Sequence, residues 1–170
     1  MKPVTKTERL DLRHFAPEDA EFTLSLLNDS SFIRFIGDKG VRTVDDAKRY
    51  IESGPVASYE KHGFGLYVVE LKTTKTPIGM CGLLKREALE HPDIGFAFLP
   101  AYRNQGYASE AANAVLSLAK NVFKLSRILA ITDPDNQPSI RLLEKMGFNF
   151  ERILKLPDTD EQVKLFEKHS

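Results

Sequence analysis

The chain has 170 residues, 42% of them hydrophobic and 28% charged, with a formal net charge of zero. That length predicts one domain over residues 1–170, which should bury about 70% of its unfolded surface. The neutral charge balance argues against a broad basic face, so we predict no nucleic-acid partner. Cys81 is the single cysteine and the four histidines are scattered, so we predict neither a disulfide nor a metal site. Without a membrane-length apolar run or a signal-peptide core, we expect a cytoplasmic protein with no membrane partner.

The first third of the chain predicts a strand followed by helices. Leu10 and Leu12 alternate with charged residues, as in a half-buried strand. Pro17 suits the first turn of a helix that should reach about Asn28. Segment 29–42 has no clean period, and we expect a partly ordered loop near a pocket.

A second helix should begin at Thr43, which pairs with Asp46 as a capping box, and should be disturbed at Gly54-Pro55. The remainder of the chain mixes strands with two more helices, the second ended by Gly147 as its C-cap. This order predicts an α/β fold (α+β by some conventions), with one mixed sheet covered by helices. Strands are expected at 66–71, 78–84, 94–99, 127–132, 148–154 and 162–166, and helices at 108–122 and 138–146.

The junction between the strand at 94–99 and the next helix carries most of the functional information. The first turn of a helix presents unpaired main-chain N–H groups and about half a positive charge. Gly106 would let the main chain approach a phosphate closely, so an anion cradle is plausible. A Walker loop is excluded because Tyr107 and Ala108 follow this glycine, and a dinucleotide fingerprint is missing. The alternative is that Gly106 only permits a tight turn, and spacing alone leaves both open.

A second motif makes the assignment specific. Arg103-x-x-Gly106-x-Ala108 resembles the acyl-CoA signature of the GNAT N-acetyltransferases, and Asn136-x-x-Ser139 with the following segment 144–148 resembles that superfamily's next motif. Segments 8–13 and 78–82 are similar to the RimJ/RimL-type branch. The resemblance implies a single-domain GNAT fold with about seven strands, splayed midway, and about four flanking helices. It also implies acetyl-CoA as co-substrate, lying in the split.

The resemblance assigns cofactor-binding roles to three groups of residues. The strand end should pair its main chain with the pantetheine arm, the turn should hold the pyrophosphate, and an amide should bond the pantetheine. A helix N-cap is the alternative role of that amide, and the two roles can coexist. The residues are Phe96, Ala97, Phe98 and Leu99 in the strand, Arg103, Asn104, Gln105, Gly106, Tyr107 and Ala108 in the turn, and the amide of Asn136.

Catalysis has to remove a proton, because an amine of pKa ~10.4 is neutral in about one molecule in a thousand near pH 7. Asp93 is the candidate base, acting through a water because aspartate is shorter than the family's usual glutamate. The alternative is that Asp93 is only a solvated residue at the start of a strand. Glu110 is not chosen as the base, because an acid in the first turn of a helix is explained by its interaction with the helix dipole. Many relatives have a tyrosine, which protonates the leaving thiolate of CoA, where this chain has Leu143. Ser139 is then the candidate to hydrogen-bond the sulfur of that thiolate, and its alternative role is to cap its helix.

The sequence therefore predicts an acetyl-CoA-dependent N-acetyltransferase that transfers the acetyl group directly to a primary amine. The acceptor is a protein N-terminus or a small-molecule amine. The alternatives are a catalytically silent acyl-CoA-binding or sensor module and a nucleotide-phosphate binder. The sequence does not distinguish a monomer from a homodimer. The acceptor loops should be 155–161 and the early loop with Phe32, Arg34, Phe35 and Asp38.

Overall fold

The computed structural model describes residues 2–157 and 159–169, and these form one mixed sheet flanked by helices. Within them, eight strands follow the order β1-β2-β3-β4-β5-β6-β8-β7. The strands are β1 (Thr5–Lys6), β2 (Leu10–Arg13), β3 (Leu66–Leu71), β4 (Pro77–Leu84), β5 (Asp93–Phe98), β6 (Arg127–Thr132), β7 (Asn149–Lys155) and β8 (Gln162–His169). The α-helices are α1 (Ala20–Leu27), α2 (Ser30–Phe35), α3 (Val44–Ile51), α4 (Ala57–His62), α5 (Tyr107–Asn121) and α6 (Gln137–Lys145).

The predicted mixed sheet is confirmed, and the predicted counts are slightly low. All neighbouring strands run antiparallel except β5 and β6, which are parallel. The additional strand is β1, which has two residues and pairs Thr5 with Leu12. A strand of two residues cannot show the alternation from which strands are predicted, and this is why the sequence pattern missed it.

Helices cover both faces of the sheet. One apolar cluster joins α5 and α6 to a face that includes Ile94 and Phe98 of β5. A second cluster joins α1, α2 and α3 to the opposite face, where Ala97 and Leu99 contribute. Because side chains alternate along a strand, Asp93 lies on the same face as Ala97, under the first three helices.

The segment 29–42 is more ordered than predicted, because residues 30–35 form α2. Asp29 caps this helix by accepting a hydrogen bond from the N–H of Phe32, whose ring is buried in the second cluster. The Asn28 amide donates to the carbonyl of Val41 at 2.8 Å and holds the end of the segment. Six helical residues make fewer than two turns, which is too short for a helical period to be visible in sequence.

The helix that begins at Thr43 is disturbed at Gly54-Pro55 as expected, and then resumes. The capping box is present, with the Asp46 N–H donating to the Thr43 hydroxyl at 3.0 Å. Glu52–Val56 forms a π-helical turn, after which α4 continues to Gly63. Proline lacks the N–H that an uninterrupted α-helix would use, and a widened turn is one way for a helix to accommodate it.

A buried ion cluster attaches α1 to the sheet. Arg13 of β2 donates to both carboxylate oxygens of Asp19 at 2.8 and 2.9 Å, and to Glu70 of β3 at 2.9 Å. These charge-assisted hydrogen bonds raise the pKa of Arg13 against the opposing effect of burial. Removing one member would leave a buried charge without its partner, so the three residues fix the helical layer on the sheet together. Among the described residues, no helix is both long and apolar enough to cross a membrane.

Close main-chain contact between β3 and β4 requires a glycine at position 82. A Cβ there would collide with the Gly65 carbonyl oxygen and lie 2.7 Å from the Cα of Leu66. We therefore expect Gly82→Ala to lower the free energy of unfolding by about 2 kcal/mol or more, measured by urea unfolding. Gly54→Ala is the control, because a Cβ at Gly54 meets no atom within 4 Å. Equal stability of the two variants would show that β3 and β4 are not in this close contact.

Candidate active site

The sheet opens between the two parallel strands β5 and β6. They are bridged at Asp93 and Leu129, where the Leu129 N–H donates to the carbonyl of Pro92 at 2.9 Å. Beyond this point the described residues form no further bridge between the two strands, although each strand remains paired on its outer side. The split therefore begins directly after Asp93 and extends along the rest of β5.

The register of β5 against β4 determines which main-chain groups face the split. The Leu99 N–H donates to the carbonyl of Ile78 at 2.9 Å, so Phe98 and Gly79 form a non-hydrogen-bonded pair. Ala97 must then bond to β4, while Phe96 and Phe98 direct their N–H and C=O groups into the split. Of the four strand residues named from the sequence, two thus expose main-chain groups to a ligand there.

The turn after β5 forms the predicted cradle shape. A short 3₁₀ turn, Pro100–Tyr102, follows the strand, and Asn104 and Gly106 adopt left-handed φ values of 62° and 84°. The Glu110 N–H makes the first helical hydrogen bond, to the Gly106 carbonyl at 3.0 Å. The N–H groups of 107–109 therefore lack helical acceptors and point out of the start of α5. This arrangement suits an anion.

An arginine that the sequence analysis did not assign to the site braces this turn. Nη1 of Arg9 donates to the Gln105 carbonyl at 3.1 Å, and its guanidinium carbon lies 4.3 Å from the centre of the Tyr107 ring. Glu110 holds Arg9 in place by accepting from its Nε at 2.7 Å and its main-chain N–H at 2.9 Å, and also accepts from the Thr7 hydroxyl. Glu110 is thus more than a dipole partner. Arg9 adds a positive charge beside the cradle.

Arg103 is engaged by the protein rather than directed at the cradle. Its Nε donates to the Phe98 carbonyl at 3.1 Å, and Nη2 donates to Asp29 at 2.6 Å. A third, longer contact of 3.4 Å joins Nη1 to the Ser31 hydroxyl. Arg103 therefore ties the end of β5 to the N-terminus of α2 and satisfies one carbonyl that faces the split.

Asp93 lies at the apex of the split with a side chain that is 1% exposed. Its two carboxylate oxygens accept from Nε of Arg86 at 3.1 and 3.3 Å. Burial raises the pKa of Asp93 to about 6, although the charge of Arg86 opposes the shift. A carboxylate with this pKa is mostly ionised near pH 7 and can accept a proton, which is a useful property for a general base.

Asn136 and Ser139 lie at the start of α6. The Oδ1 atom of Asn136 caps the helix by accepting from the Ser139 N–H at 3.4 Å. The capping role considered for Asn136 is therefore present. Neither the Asn136 amide NH₂ nor the Ser139 hydroxyl has an acceptor or donor among the described residues, so both groups are available to a ligand.

The residues expected to bind the acceptor differ in exposure and in their contacts. Phe32 is buried in the core, while Arg34 stacks its guanidinium 4.6 Å from the ring of Phe35. Asp38 accepts from Arg42 at 2.5 Å. In the second segment, 155–161, residue 158 lies outside the described residues and the rest is mostly exposed.

Cys81 belongs to the core, as predicted. It lies on β4 with no exposed surface, in the cluster that packs under α5 and α6. Burial raises the pKa of its thiol. A buried protonated thiol is a poor nucleophile, so the cysteine gives no support to an acyl-enzyme.

The split sheet with an anion-receptive helix start beside it defines a class of acyl-group transferases, and comparison with known proteins gives the family. The model of the acetyltransferase (GNAT) domain matches residues 9–149. The chain is 34% identical over 149 residues to YnaD of Bacillus subtilis strain 168, described as an uncharacterized N-acetyltransferase, covering 88% of this chain and 84% of YnaD.

Two solved structures are similar along nearly their whole length. A GNAT-family acetyltransferase from Bacillus anthracis has 30% identity and a TM-score of 0.79, with 96% of each chain covered. RimL, the ribosomal L7/L12 alpha-N-protein acetyltransferase solved with coenzyme A, has a TM-score of 0.85, with 99% of this chain and 98% of RimL covered. At 14% identity, RimL shows a shared fold alone. The chain belongs to the GNAT family and is an enzyme of the N-acetyltransferase class.

The geometry of the cradle predicts a specific effect of Gly106→Ala. A Cβ at this position would have a left-handed φ of 84° and lie 3.2 Å from Nη2 of Arg9, beside the free N–H groups. We expect the dissociation constant of acetyl-CoA to rise about tenfold in isothermal titration calorimetry, because the Cβ obstructs the approach of a phosphate.

Gly63→Ala provides the matched control. Gly63 has nearly the same φ, 81°, and a Cβ there meets no atom within 4 Å. Both substitutions should cost about 1–2 kcal/mol of stability through backbone strain, and only the first should weaken acetyl-CoA binding. Equal affinities in the two variants would remove Gly106 from the cofactor site.

Proposed function

We propose that the chain binds acetyl-CoA in the split between β5 and β6 and transfers its acetyl group directly to a primary amine. The proposal rests on two sets of main-chain groups that lie at the split and have no main-chain partner. Phe96 and Phe98 face the split from β5, and the free N–H groups at the start of α5 stand beside its open end. One ligand with amides in its arm and a pyrophosphate at its end matches both surfaces.

The donor set fits acetyl-CoA in charge and in hydrogen-bonding capacity. We assign the pantetheine amides to the main chain of Phe96, the Phe98 N–H and the amide of Asn136. The pyrophosphate is assigned to the turn 105–108, where the free N–H groups at the start of α5 favour an anion. Arg9, paired with Glu110, braces this turn. Arg103 and Asn104 shape this turn. Ala97 and Leu99 keep the strand in register with β4.

The chain's own groups suit the two proton transfers of a direct reaction. The neutral amine nitrogen attacks the thioester carbonyl carbon, the carbon–sulfur bond breaks, and the sulfur leaves as a thiolate with the bonding electron pair. Asp93 accepts, through a water, the proton that the nitrogen gives up, and the Ser139 hydroxyl donates a hydrogen bond that stabilises the thiolate. The thiolate then takes up a proton through water, which returns Asp93 to its ionised form. The product is an amide and free CoA. No covalent enzyme intermediate is needed, in keeping with the buried Cys81.

Membership of the RimJ/RimL-type branch is part of the proposal, supported by the shared fold of RimL and by the segments 8–13 and 78–82. On this basis the acceptor is a protein N-terminus or a small-molecule amine, used by a monomer or a homodimer in the cytoplasm.

Cofactor binding and turnover test the proposal separately. Acetyl-CoA at ~100 times its dissociation constant should stabilise the protein by ~2.7 kcal/mol in thermal unfolding. A panel of small amines and N-terminal peptides should then release free CoA faster than the reaction without acceptor. Stabilisation without release from any acceptor would favour the silent sensor. Stabilisation by ATP and not by acetyl-CoA would indicate a nucleotide-phosphate binder instead.

The assignment of Asp93 as base predicts both a rate effect and a pH effect. Asp93→Asn should lower kcat by about 100-fold or more with little change in acetyl-CoA affinity. Since the pKa of Asp93 is about 6 in the unliganded chain and the ionised form is the active one, the wild-type kcat/KM for the acceptor should lose an additional factor as the pH falls through about 6. The pH profile of the variant should lack this additional loss. The exposed Asp45→Asn serves as the control and should keep the wild-type profile.

Stability separates a catalytic Asp93 from a structural one. A raised pKa means that ionised Asp93 costs folding free energy, and the stability present below its unfolded pKa is lost as pH rises through about 6. Asp93→Asn should therefore be no less stable than the wild type at pH 7.5, as measured by urea unfolding. Full activity together with a clear loss of stability would make Asp93 a structural partner of Arg86.

A further inference from the structure

β7 forms the longer of the two open edges of the sheet. Within the described residues, β7 pairs with β8 on one side and with no strand on the other, so one row of its main-chain N–H and C=O groups has no strand partner. The opposite edge is β1, which has two residues, whereas β7 has seven. A very short edge strand offers little to another chain, but an edge of seven residues can pair with a further strand.

Two large apolar side chains are exposed on one face of this edge. Phe150 is 53% exposed and Ile153 is 51% exposed. Residues three apart in a regular strand face opposite ways, but a bulge between Phe150 and Arg152 brings both side chains to the face of Phe166. The rings of Phe150 and Phe166 meet edge to face, 5.8 Å apart, and Nζ of Lys164, which lies opposite Ile153, is 5.7 Å from the centre of the Phe150 ring. Neighbouring exposed apolar side chains commonly mark an interaction surface.

Glu151 and Arg152 carry opposite charges on the other face of the same edge. Glu151 lies 3.7 Å from Arg127 of β6, which binds Glu167 more closely. Arg152 lies opposite Leu165, which is two residues from Glu167 along β8 and therefore shares its face. Arg152 makes no hydrogen bond or ion pair with residues 2–157 and 159–169. The charge of Arg152 is thus available to a partner, and that of Glu151 is only loosely engaged.

The segment 150–153 is complementary to its own reverse. It reads apolar, acidic, basic, apolar. With a second copy antiparallel beside it and a two-fold axis between Glu151 and Arg152, Phe150 lies opposite the partner's Ile153. Glu151 then lies opposite the partner's Arg152, and each pair occurs twice, as in any two-fold interface. The bulge does not offset this register, because both strands carry the same extra residue.

We propose that the β7 edge is the interface of a homodimer, in which β7 of each copy pairs antiparallel with β7 of the other and the two sheets become one. The occupant is a second copy because both the charges and the apolar side chains match when the same segment runs in the opposite direction. This inference goes beyond the proposed function and does not depend on it. The two-fold axis directs the open ends of the two splits in opposite directions.

Charge reversal tests the pairing directly. Sedimentation velocity of the full chain over a concentration series would give the dimer dissociation constant. We expect the wild type to dimerise, and the dissociation constant to rise about tenfold or more in Glu151→Arg and in Arg152→Glu, because each variant places two like-charged pairs at the axis. Glu60→Arg, on the exposed side of α4, is the control and should dimerise like the wild type.

Mixing the two weakened variants supplies the sharper measurement. In a dimer of one Glu151→Arg chain with one Arg152→Glu chain, both cross-axis pairs are again of opposite sign, so the mixture should recover the wild-type affinity. This recovery cannot come from repair within a chain, because each chain retains its own substitution. The double variant Glu151→Arg/Arg152→Glu should recover for the same reason.

Ile153→Asp tests the apolar half of the edge. The substitution places a carboxylate against the partner's Phe150, where it would lose water without gaining a hydrogen bond. We expect the dimer dissociation constant to rise about tenfold or more, while urea unfolding shows that the chain remains folded. The cross-strand neighbour of position 153 is Lys164, an opposite charge that the new carboxylate can meet within its own chain.

The outcomes judge the interface without reference to acetyl transfer. A wild type that stays monomeric at every concentration overturns the proposal. A dimer that all three weakening variants leave unchanged also overturns it, because that dimer uses another surface. Weakening by both charge reversals without recovery on mixing overturns the register. Recovery on mixing, with the control unchanged, supports the β7 interface even if no amine releases CoA.

Discussion

The parting of β5 and β6 after the bridge at Asp93 and Leu129 is the constraint on which the rest of the structure depends. Parallel strands that stop pairing leave N–H and C=O groups without partners, and buried groups of this kind are costly. The protein satisfies the Phe98 carbonyl with Arg103, which also anchors α2 through Asp29. The main chain of Phe96 remains for a ligand. On its other side β5 is paired with β4 along its whole length, which fixes the direction of the groups that face the split.

The two halves of the candidate site use different chemistry. The half proposed to bind the cofactor consists of main-chain groups of β5 and of the turn before α5, whose directions depend on register and on the left-handed Gly106. Many side chains can be substituted around such groups while the groups themselves stay in place. The half proposed to carry out proton transfer depends on the side chain of Asp93 and on its contact with Arg86. A single substitution there changes the chemistry without disturbing the main chain that the cofactor is proposed to use.

Local signals predicted much of the fold and the cofactor half. The capping box of Thr43 and Asp46, the C-cap Gly147 and the turn at Gly106 are each encoded within a few residues, and their backbone geometry agrees with the prediction. The acceptor segments were named only as loops, and contacts between residues that are distant in sequence were missed in both halves. Arg9 and Glu110, which brace the cradle, are separated by 101 positions, and no spacing rule connects them.

One residue of the half proposed for proton transfer was found from the sequence. Asp93 was predicted from its place at the start of the strand that leads to the cradle and from the glutamate that relatives carry there, but its burial and its contact with Arg86 depend on the loop that returns from β4. The sequence showed that acids and bases are mixed in the segment 29–42 without showing how they pair. In the structure Asp38 is bound by Arg42, and Asp29 by Arg103 from the turn after β5. The pairing of charges thus depends on contacts with other parts of the chain, which composition alone does not give.

Arg86 determines how strong a base Asp93 can be. Burial raises the pKa of Asp93, and the positive charge of Arg86 opposes that rise. The contact is direct, because both carboxylate oxygens accept from Nε of Arg86 at 3.1 and 3.3 Å. Without the arginine, the pKa of Asp93 would rise further, because the interaction that stabilises its ionised form would be lost. The carboxylate would then be protonated in a larger fraction of molecules near pH 7, and fewer molecules could accept a proton. Arg86 therefore keeps a buried carboxylate in the ionised form that the proposed reaction requires.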